Sequence, residues 1–389
     1  MPRIYLDNAA TTWPKPATVY EAVDRYQREN GAAAGRGVYR EGIAADRLVE
    51  TARLRVAQLI GAARPESIVF THNCTDALNL ALHGYLKPGS RVITTEAEHN
   101  SVLRPLKYLE QHRGIHVVYV PCGPEGIVDL AALEAALRAQ RGQHGLVVVS
   151  HASNVTGAIQ PLETIARLAK QNEVPLLVDA AQSVGAMPMN VSQSFDGVSL
   201  LAASGHKGCL GPLGTGFLYL APDMEKVVEP QRQGGTGTKS DEDMQPTSLP
   251  DRYESGNANV PGLAGLAAGV EYLLATKVEV VQAHEQNLIQ RLMRGLQSVD
   301  NLRLLGPSPG LPRAGLVAFT LDGYDPRELA SLLDSHFGIQ VRAGLHCAPL
   351  IHRRCEAYPT GTVRMSVGPF TIEEEIDAAI AAVREIAAG

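Results

Sequence analysis

From about residue 67 onward the chain alternates short β-branched and aliphatic runs with longer stretches in which apolar residues recur every three or four positions. The runs are SIVFT, RVITTE, HVVYV, LVVVSH and PLLVDA, and the amphipathic stretches between them cover 76–86, 102–113, 130–141 and 162–172. Runs too short for helices, separated by segments of helical period, predict βαβ units around a mostly parallel sheet. Two further runs, VSLLAAS and GTGFLYL, flank the glycine-rich turn SGHKGCLGP and complete that sheet.

Beyond it, 234–261 is rich in Gly, Thr and Pro without periodicity, which predicts an ordered functional loop or a crossover. Helical patterns return at 263–275 and 279–299. The C-terminal part then reads strand (GLVAFTL), helix (326–337), strand (GIQVRAG), strand (TVRMSVG) and a last helix opened by Thr371, with Glu373, Glu374 and Glu375 in its first turn. This succession predicts a separate small α+β domain. No internal repeat is present.

With 45% hydrophobic and 20% charged residues over 389 positions, the chain is neither disordered nor fibrous. Thirty-five basic against 41 acidic residues, a net charge of −6 with no basic run, excludes nucleic acid as an expected partner. No apolar stretch reaches the ~20 residues of a membrane span, and the opening MPRIYLDNAATTWP is not a secretory leader, so a cytoplasmic protein without membrane association is expected. Five cysteines cannot form a disulfide framework and suit a reducing compartment.

Several strand ends carry polar residues suited to one crevice. Lys207, in SGHKG with Ser204 and His206, sits in a tight turn that suits a Schiff-base lysine beside an anionic cofactor, or is a solvated loop lysine. Asp179 closes PLLVDA, with Gln182 three residues later; a carboxylate there holds a pyridinium nitrogen protonated or caps the next helix. Asn73, Cys74 and Thr75 open a helix whose backbone N–H groups suit a phosphate, or simply cap it. His99 and Asn154 follow two further strands, His99 placed to stack on a planar ring and pass protons, or serving structure. Cys347 lies beside His346 and five residues after Arg342, neighbours that favour a thiolate. The rival use of His346, Cys347, His352 and Cys355 as zinc ligands matches no common spacing, so no metal is expected. Arg364, in TVRMSVG, is either a carboxylate clamp or an exposed arginine on a sheet.

Taken together, YLDNAATT, EAEHNS, SNVTG, LVDAAQS, SGHKG, the GGTGT and YESGN loops, RAGLHCAP and VRMSVG resemble the class V aminotransferase family of fold-type I pyridoxal phosphate enzymes, and within it the cysteine desulfurases and selenocysteine lyases with a short R-x-G-x-H-C-A loop. The motifs run in family order from residue 5 to beyond 364. The resemblance implies a large cofactor-binding domain (16–262) with a mostly parallel seven-stranded sheet flanked by helices, a small α+β domain (1–15 with 263–389), and a homodimer. It implies that Lys207 carries pyridoxal 5'-phosphate and moves the substrate Cα proton. Asp179 would bind the ring nitrogen, Gln182 the phenolic oxygen and His99 the ring face; Cys74 (through its backbone), Thr75, Ser204 and His206 would hold the phosphate. Asn154 would lie near the phenolic oxygen and the substrate carboxylate, Arg364 would hold that carboxylate with Arg342 nearby, and Ala9 and Ala10 would line the pocket. Cys347 would take the sulfur of L-cysteine as a persulfide, leaving L-alanine, for an acceptor protein in iron–sulfur assembly or another thiolation route.

Two positions depart from the family pattern. Asn257 stands where a threonine usually reaches the neighbouring subunit's phosphate, and Leu345 replaces the first of two histidines before the cysteine. Alternatives are selenocysteine lyase activity, a class V aminotransferase or epimerase-like enzyme in which Cys347 is incidental, and a cofactor-free dimeric sulfur-carrier scaffold.

Overall fold

The computed structural model describes residues 3–389 apart from 36, 141, 239 and 240. After a two-residue strand β1 (Ile4–Tyr5) come helices α1 (Ala17–Arg25) and α2 (Arg40–Ile60). The strand–helix alternation follows as β2 (Ile68–Thr71), α3 (Cys74–Tyr85), β3 (Arg91–Thr95), α4 (Asn100–Arg113), β4 (His116–Val120), α5 (Leu130–Gln140), β5 (Gly145–Ser150), α6 (Leu162–Gln171), β6 (Leu176–Asp179), β7 (Val198–Ser204) and β8 (Gly216–Leu220). The expected end of α5 at Arg141 lies outside the described residues. These strands form one seven-stranded sheet in the order β2-β8-β7-β6-β5-β3-β4, parallel except that β8 runs antiparallel to β2 and β7.

Neighbouring residues of each central strand enter different cores. Ile93, Val147, Val149 and Val178 pack on one face with α2, α6 and Leu263, while Val92, Leu146, Val148 and Leu177 pack on the other with Leu78, Leu82 and Leu106. Helices cover both faces, which is why the strands read as continuous apolar runs rather than alternating ones. Helix α2 lies ahead of the segment where the pattern is read, yet its buried Ala45, Ala52, Val56, Leu59 and Ile60 follow helical spacing, and Gly61 closes it in the left-handed conformation (φ 66°).

The C-terminal part contains α7 (Val260–Thr276), α8 (Val278–Gln297), β9 (Leu302–Leu305), β10 (Leu316–Leu321), α9 (Pro326–Phe337), β11 (Ile339–Gln340), β12 (Arg342–Gly344), α10 (Pro349–Arg354), β13 (Thr362–Ser366) and α11 (Glu373–Ala388). Three features differ from the sequence reading. GIQVRAG is two strands: β11 pairs in parallel with β1, whereas β12 joins a four-stranded sheet ordered β12-β13-β10-β9. Strand β9 is additional. Thr371 does not open α11; its hydroxyl accepts from Gly368 N–H, and Glu375 receives the Ile372 N–H at the helix start instead. The small sheet has its own core, in which Leu288, Leu292, Phe319, Met365 and Ile380 meet Leu6. Helix α7 places Leu266, Val270 and Leu273 in the core of the large sheet. Among the described residues, no helix is long and apolar enough to cross a membrane.

Candidate active site

Strands β3, β5, β6 and β7 end along one edge of the large sheet at Thr95, Ser150, Asp179 and Ser204. The last three of these, with Cys74, Thr75, His99, Asn154, Gln182, His206 and Lys207, line a cavity of about 210 Å³. A crevice beyond the carboxyl ends of the strands is the usual ligand site of an open α/β sheet. Nine of the ten residues singled out for cofactor contact therefore share one wall. Asn257 lies apart, in a cavity with Gly35, Asp46 and Thr236.

Local chemistry sets each wall residue. Asn73 caps α3 by accepting from Asp76 N–H at 2.9 Å, which turns the helix start toward the cavity. The close approach requires glycine at 216, since a Cβ there would lie 2.6 Å from Asn73 Cα. Cys74 N–H donates to Ser204 Oγ at 3.3 Å, tying the helix start to the end of β7. His99 caps α4: Ser101 N–H donates to its Nδ1 at 3.0 Å, which leaves the proton of the neutral ring on Nε2. Ser101 Oγ is 2.8 Å from both His99 Nδ1 and Thr75 Oγ1, so the ring and the α3 start are joined through a residue that the sequence reading did not single out.

Lys207 occupies a turn clamped from the N-terminal arm. The carbonyl of His206 accepts from Thr11 Oγ1 (3.0 Å), Thr12 Oγ1 (3.2 Å), Thr12 N–H (3.2 Å) and Lys15 Nζ (3.2 Å). Burial lowers the Lys207 amine pKa, while the Asp179 carboxylate acts to raise it. An amine biased toward its neutral form suits nucleophilic and proton-transfer chemistry. Burial, with Lys207 and Lys15 adding to it, pushes His206 down to about 4, so the ring is neutral, and its Nδ1 is buried without a partner. A buried nitrogen of this kind is costly unless a ligand satisfies it.

Glu98, also unflagged in the sequence, is fully buried behind this wall. It receives Thr95 Oγ1 at 2.6 Å, Ser150 N–H at 3.0 Å and Ser150 Oγ at 2.8 Å, bridging β3 and β5. Burial raises its carboxyl to about 7, against those hydrogen bonds.

The small-domain residues adjoin the rim. Arg364 is 2% exposed, so the reading as an exposed sheet arginine does not hold. It faces Arg342 across the β12–β13 pair, and Asp7 compensates the two like charges, 2.9 Å from Arg364 Nη2 and 3.8 Å from Arg342 Nη1. Arg364 Nη1 donates to Asn154 O at 3.0 Å, and its Nε is buried without a partner. Gln182 Nε2 donates to Ala9 O at 2.9 Å, and Ala9 N–H to Ser366 Oγ at 2.9 Å, which brings the Ala9–Ala10 segment beside the cavity.

Cys347 is exposed on a turn in which His346 and Cys347 both adopt positive φ (45° and 58°), a conformation that costs non-glycine residues energy. Two bonds pin the turn to the rim: Asn100 N–H donates to Cys347 O at 2.6 Å, and Asn154 Nδ2 to His346 O at 2.7 Å. The expectation that His346 assists the thiolate fails. Its ring is buried, bonded to Thr362 Oγ1 at 3.0 Å, and pushed down to about 2 by burial and Arg364, so it offers no positive charge. His352 bonds the same hydroxyl at 3.4 Å, and no metal-ligating group of three occurs among the described residues.

The wall fits the cofactor that the motifs imply. It combines an amine, a carboxylate, an orphaned imidazole nitrogen, hydroxyls and a helix N-terminus around a small cavity, the set needed by a pyridine ring bearing a phosphate. Residues 4–379 match the family model Aminotransferase class-V. A probable cysteine desulfurase of Pyrococcus abyssi is 36% identical over 98% of this chain and 94% of its own length. A cysteine desulfurase of Pectobacterium carotovorum is 34% identical over 99% and 93%. The apo structure of a cysteine desulfurase from Thermococcus onnurineus superposes with a TM-score of 0.92 at 34% identity, covering 100% of this chain and 95% of that one. With its strand-end cavity, lysine turn and nearly full-length match, the chain belongs to the class V aminotransferases, a pyridoxal phosphate-dependent enzyme family.

Proposed function

We propose that the protein is a cysteine desulfurase that moves the sulfur of L-cysteine onto Cys347 and releases L-alanine. The observation that carries this reading is the pinning of the exposed Cys347 turn, through Asn100 and Asn154, to the rim of the cavity that holds Lys207. A class V enzyme that only transfers amino groups has no use for a thiol held there.

Thr75 at the start of α3, with Ser204 and His206 Nδ1 at and just beyond the end of β7, would hold the cofactor phosphate, His99 would cover the ring, Gln182 and Asn154 would serve its phenolic oxygen, and Asp179 would hold the ring nitrogen. When bound, pyridoxal phosphate supplies a protonated ring that withdraws electrons from the substrate Cα. Arg364 holds the substrate carboxylate through the side of its guanidinium that Asp7 and Asn154 leave free, with Arg342 adding positive charge and Ala9 and Ala10 closing the pocket. Lys207 Nζ, whose pKa burial lowers against the pull of Asp179, accepts the Cα proton and returns it. Cys347 Sγ attacks the substrate sulfur: an S–S bond forms as the Cβ–S bond breaks, the electron pair stays on Cβ, and a proton completes the methyl group of alanine. The Cys347 and substrate sulfurs share the oxidation as Cβ is reduced, with no external oxidant, and the persulfide then passes to an acceptor protein.

The enzyme acts in the cytoplasm as a homodimer, in which Asn257 would serve the second copy's phosphate; Val38 (96% exposed) and Tyr39 (54%) follow Gly35 of the Asn257 cavity and suit cover by that copy. The chain divides into the two units that the motifs imply, 16–262 and 1–15 with 263–389, and α7, at the start of the second segment, packs Leu266, Val270 and Leu273 against the core of the large sheet.

The test is Cys347→Ala with bound cofactor, incubated with L-cysteine. Persulfide is lost and alanine release falls about 10³-fold while cofactor absorbance stays unchanged. Undiminished alanine release overturns the reading, and amino transfer to a keto acid would favour aminotransferase chemistry. Retained turnover on L-selenocysteine by the same variant identifies a lyase.

A further inference from the structure

The motifs assign Cys74 a backbone role at the start of α3, yet its side chain makes its own contact inside the cavity. Cys74 Sγ lies 3.4 Å from Asp179 Oδ1 and donates to it, and Ala181 N–H donates to the same oxygen at 3.0 Å. Among the described residues no hydrogen bond reaches Asp179 Oδ2, and both side chains line the cavity. Cys74 is 5% exposed and packs with Val69, Leu78 and Leu218. Burial, reinforced by the Asp179 carboxylate, raises its thiol well above the usual range, so the sulfur keeps its proton and acts as a donor.

We propose that Cys74 is a positioning residue for Asp179: its thiol and the Ala181 amide fix the carboxylate through Oδ1, and leave Oδ2 to hold the proton on the cofactor's ring nitrogen. The inference rests on the pairing of Asp179 with that nitrogen. The choice of sulfur matters because S–H is a weak donor. A hydroxyl at the same place would bind Oδ1 more strongly, draw charge from the carboxylate and loosen its hold on the ring proton. The thiol orients Asp179 with little loss of basicity, and its apolar bulk helps keep water from the carboxylate.

Two measurements on the cofactor-loaded protein test this. The infrared S–H stretching band of Cys74, identified by its loss in Cys74→Ser, moves to higher frequency in Asp179→Ala; an unmoved band overturns the contact and the inference with it. With pyridoxal phosphate labelled with nitrogen-15 in the ring, Cys74→Ser shifts the ring resonance toward the unprotonated position and lowers kcat about fivefold with KM unchanged. Cys74→Ala leaves the resonance on the protonated side, and a resonance equal in the native and serine proteins overturns the tuning. If Asp179→Ala itself leaves the ring resonance unmoved, the Asp179 pairing fails and the inference falls with it, whereas the Cys347 reading stands or falls on its own variant.

Discussion

Lys207 and Cys347 stand at opposite ends of one reaction centre and are held in opposite ways. Lys207 follows a carbonyl bound by four groups of the N-terminal arm, in a turn packed so tightly that a Cβ on Gly208 would lie 2.3 Å from Val184 O. Cys347 projects from a positive-φ turn, exposed, held by two backbone carbonyls rather than by its side chain. Burial sets the reactivity of the amine, whereas exposure sets that of the thiol. A group that must exchange bonds with a cofactor is best fixed, while a group that must carry sulfur to another molecule is best left where a second thiol can reach it.

The sharpest way to break this contrast is alkylation of the folded protein with iodoacetamide. Cys74, Cys122, Cys209 and Cys355 are buried, and burial pushes Cys122 and Cys209 up to about 12. A thiol at 12 is thiolate in only about one part in 10⁵ at neutral pH, before any loss of access. Peptide mass mapping should show Cys347 labelled at least ~10³-fold faster than either. Comparable labelling of Cys122 would mean that the large core opens and that the contrast is lost.

A smaller effect tests the junction between the two ends. Arg364 joins them, since it binds Asp7 of the N-terminal arm and the carbonyl of Asn154, whose amide holds the Cys347 turn. Arg364→Ala should lower kcat/KM for L-cysteine about 10²-fold, mostly through KM, while borohydride still fixes the cofactor to Lys207. An unchanged KM would remove Arg364 as the carboxylate clamp and leave it a structural tie.

The floor of the site was more legible in the sequence than its mouth. Lys207, Asp179, Ser204 and His99 each follow an apolar run, so the parallel-sheet pattern alone places them on one edge. Asp7 was not singled out because its meaning comes from Arg364, 357 residues away, and Ser101 because its meaning comes from Thr75 across two helices. His346 misled for the converse reason. Adjacency in sequence suggested adjacency of function, but the turn sends the imidazole into the core toward Thr362 and leaves the thiol outside. The division of GIQVRAG between two sheets is not legible in the sequence because β11 takes β1 as its partner, and a two-residue strand leaves no periodicity to read.

The smallest effect on turnover, and the one that bears most directly on the rigid end, belongs to Glu98. Its carboxyl is raised from 4.5 to about 7 in the folded protein, so between these values the folded chain holds a proton that the unfolded chain has released. Stability contributed by the protonated form is therefore complete below pH 4.5 and is lost as pH rises toward 7, by on the order of 3 kcal/mol for a fully buried group. Glu98→Gln keeps an acceptor for Ser150 and Thr95 but has no such proton to lose. Urea unfolding of both proteins from pH 4.5 to 7.5 should show the glutamine variant gaining steadily on the native chain up to about pH 7 and then running parallel to it, with little change in alanine release. A gap that stays constant over this range would mean that Glu98 is already charged in the fold, held by the Ser150 and Thr95 donors strongly enough to outweigh burial; the wall behind Asp179 would then carry two negative charges, and the amine of Lys207 would face a more acidic floor than the one described.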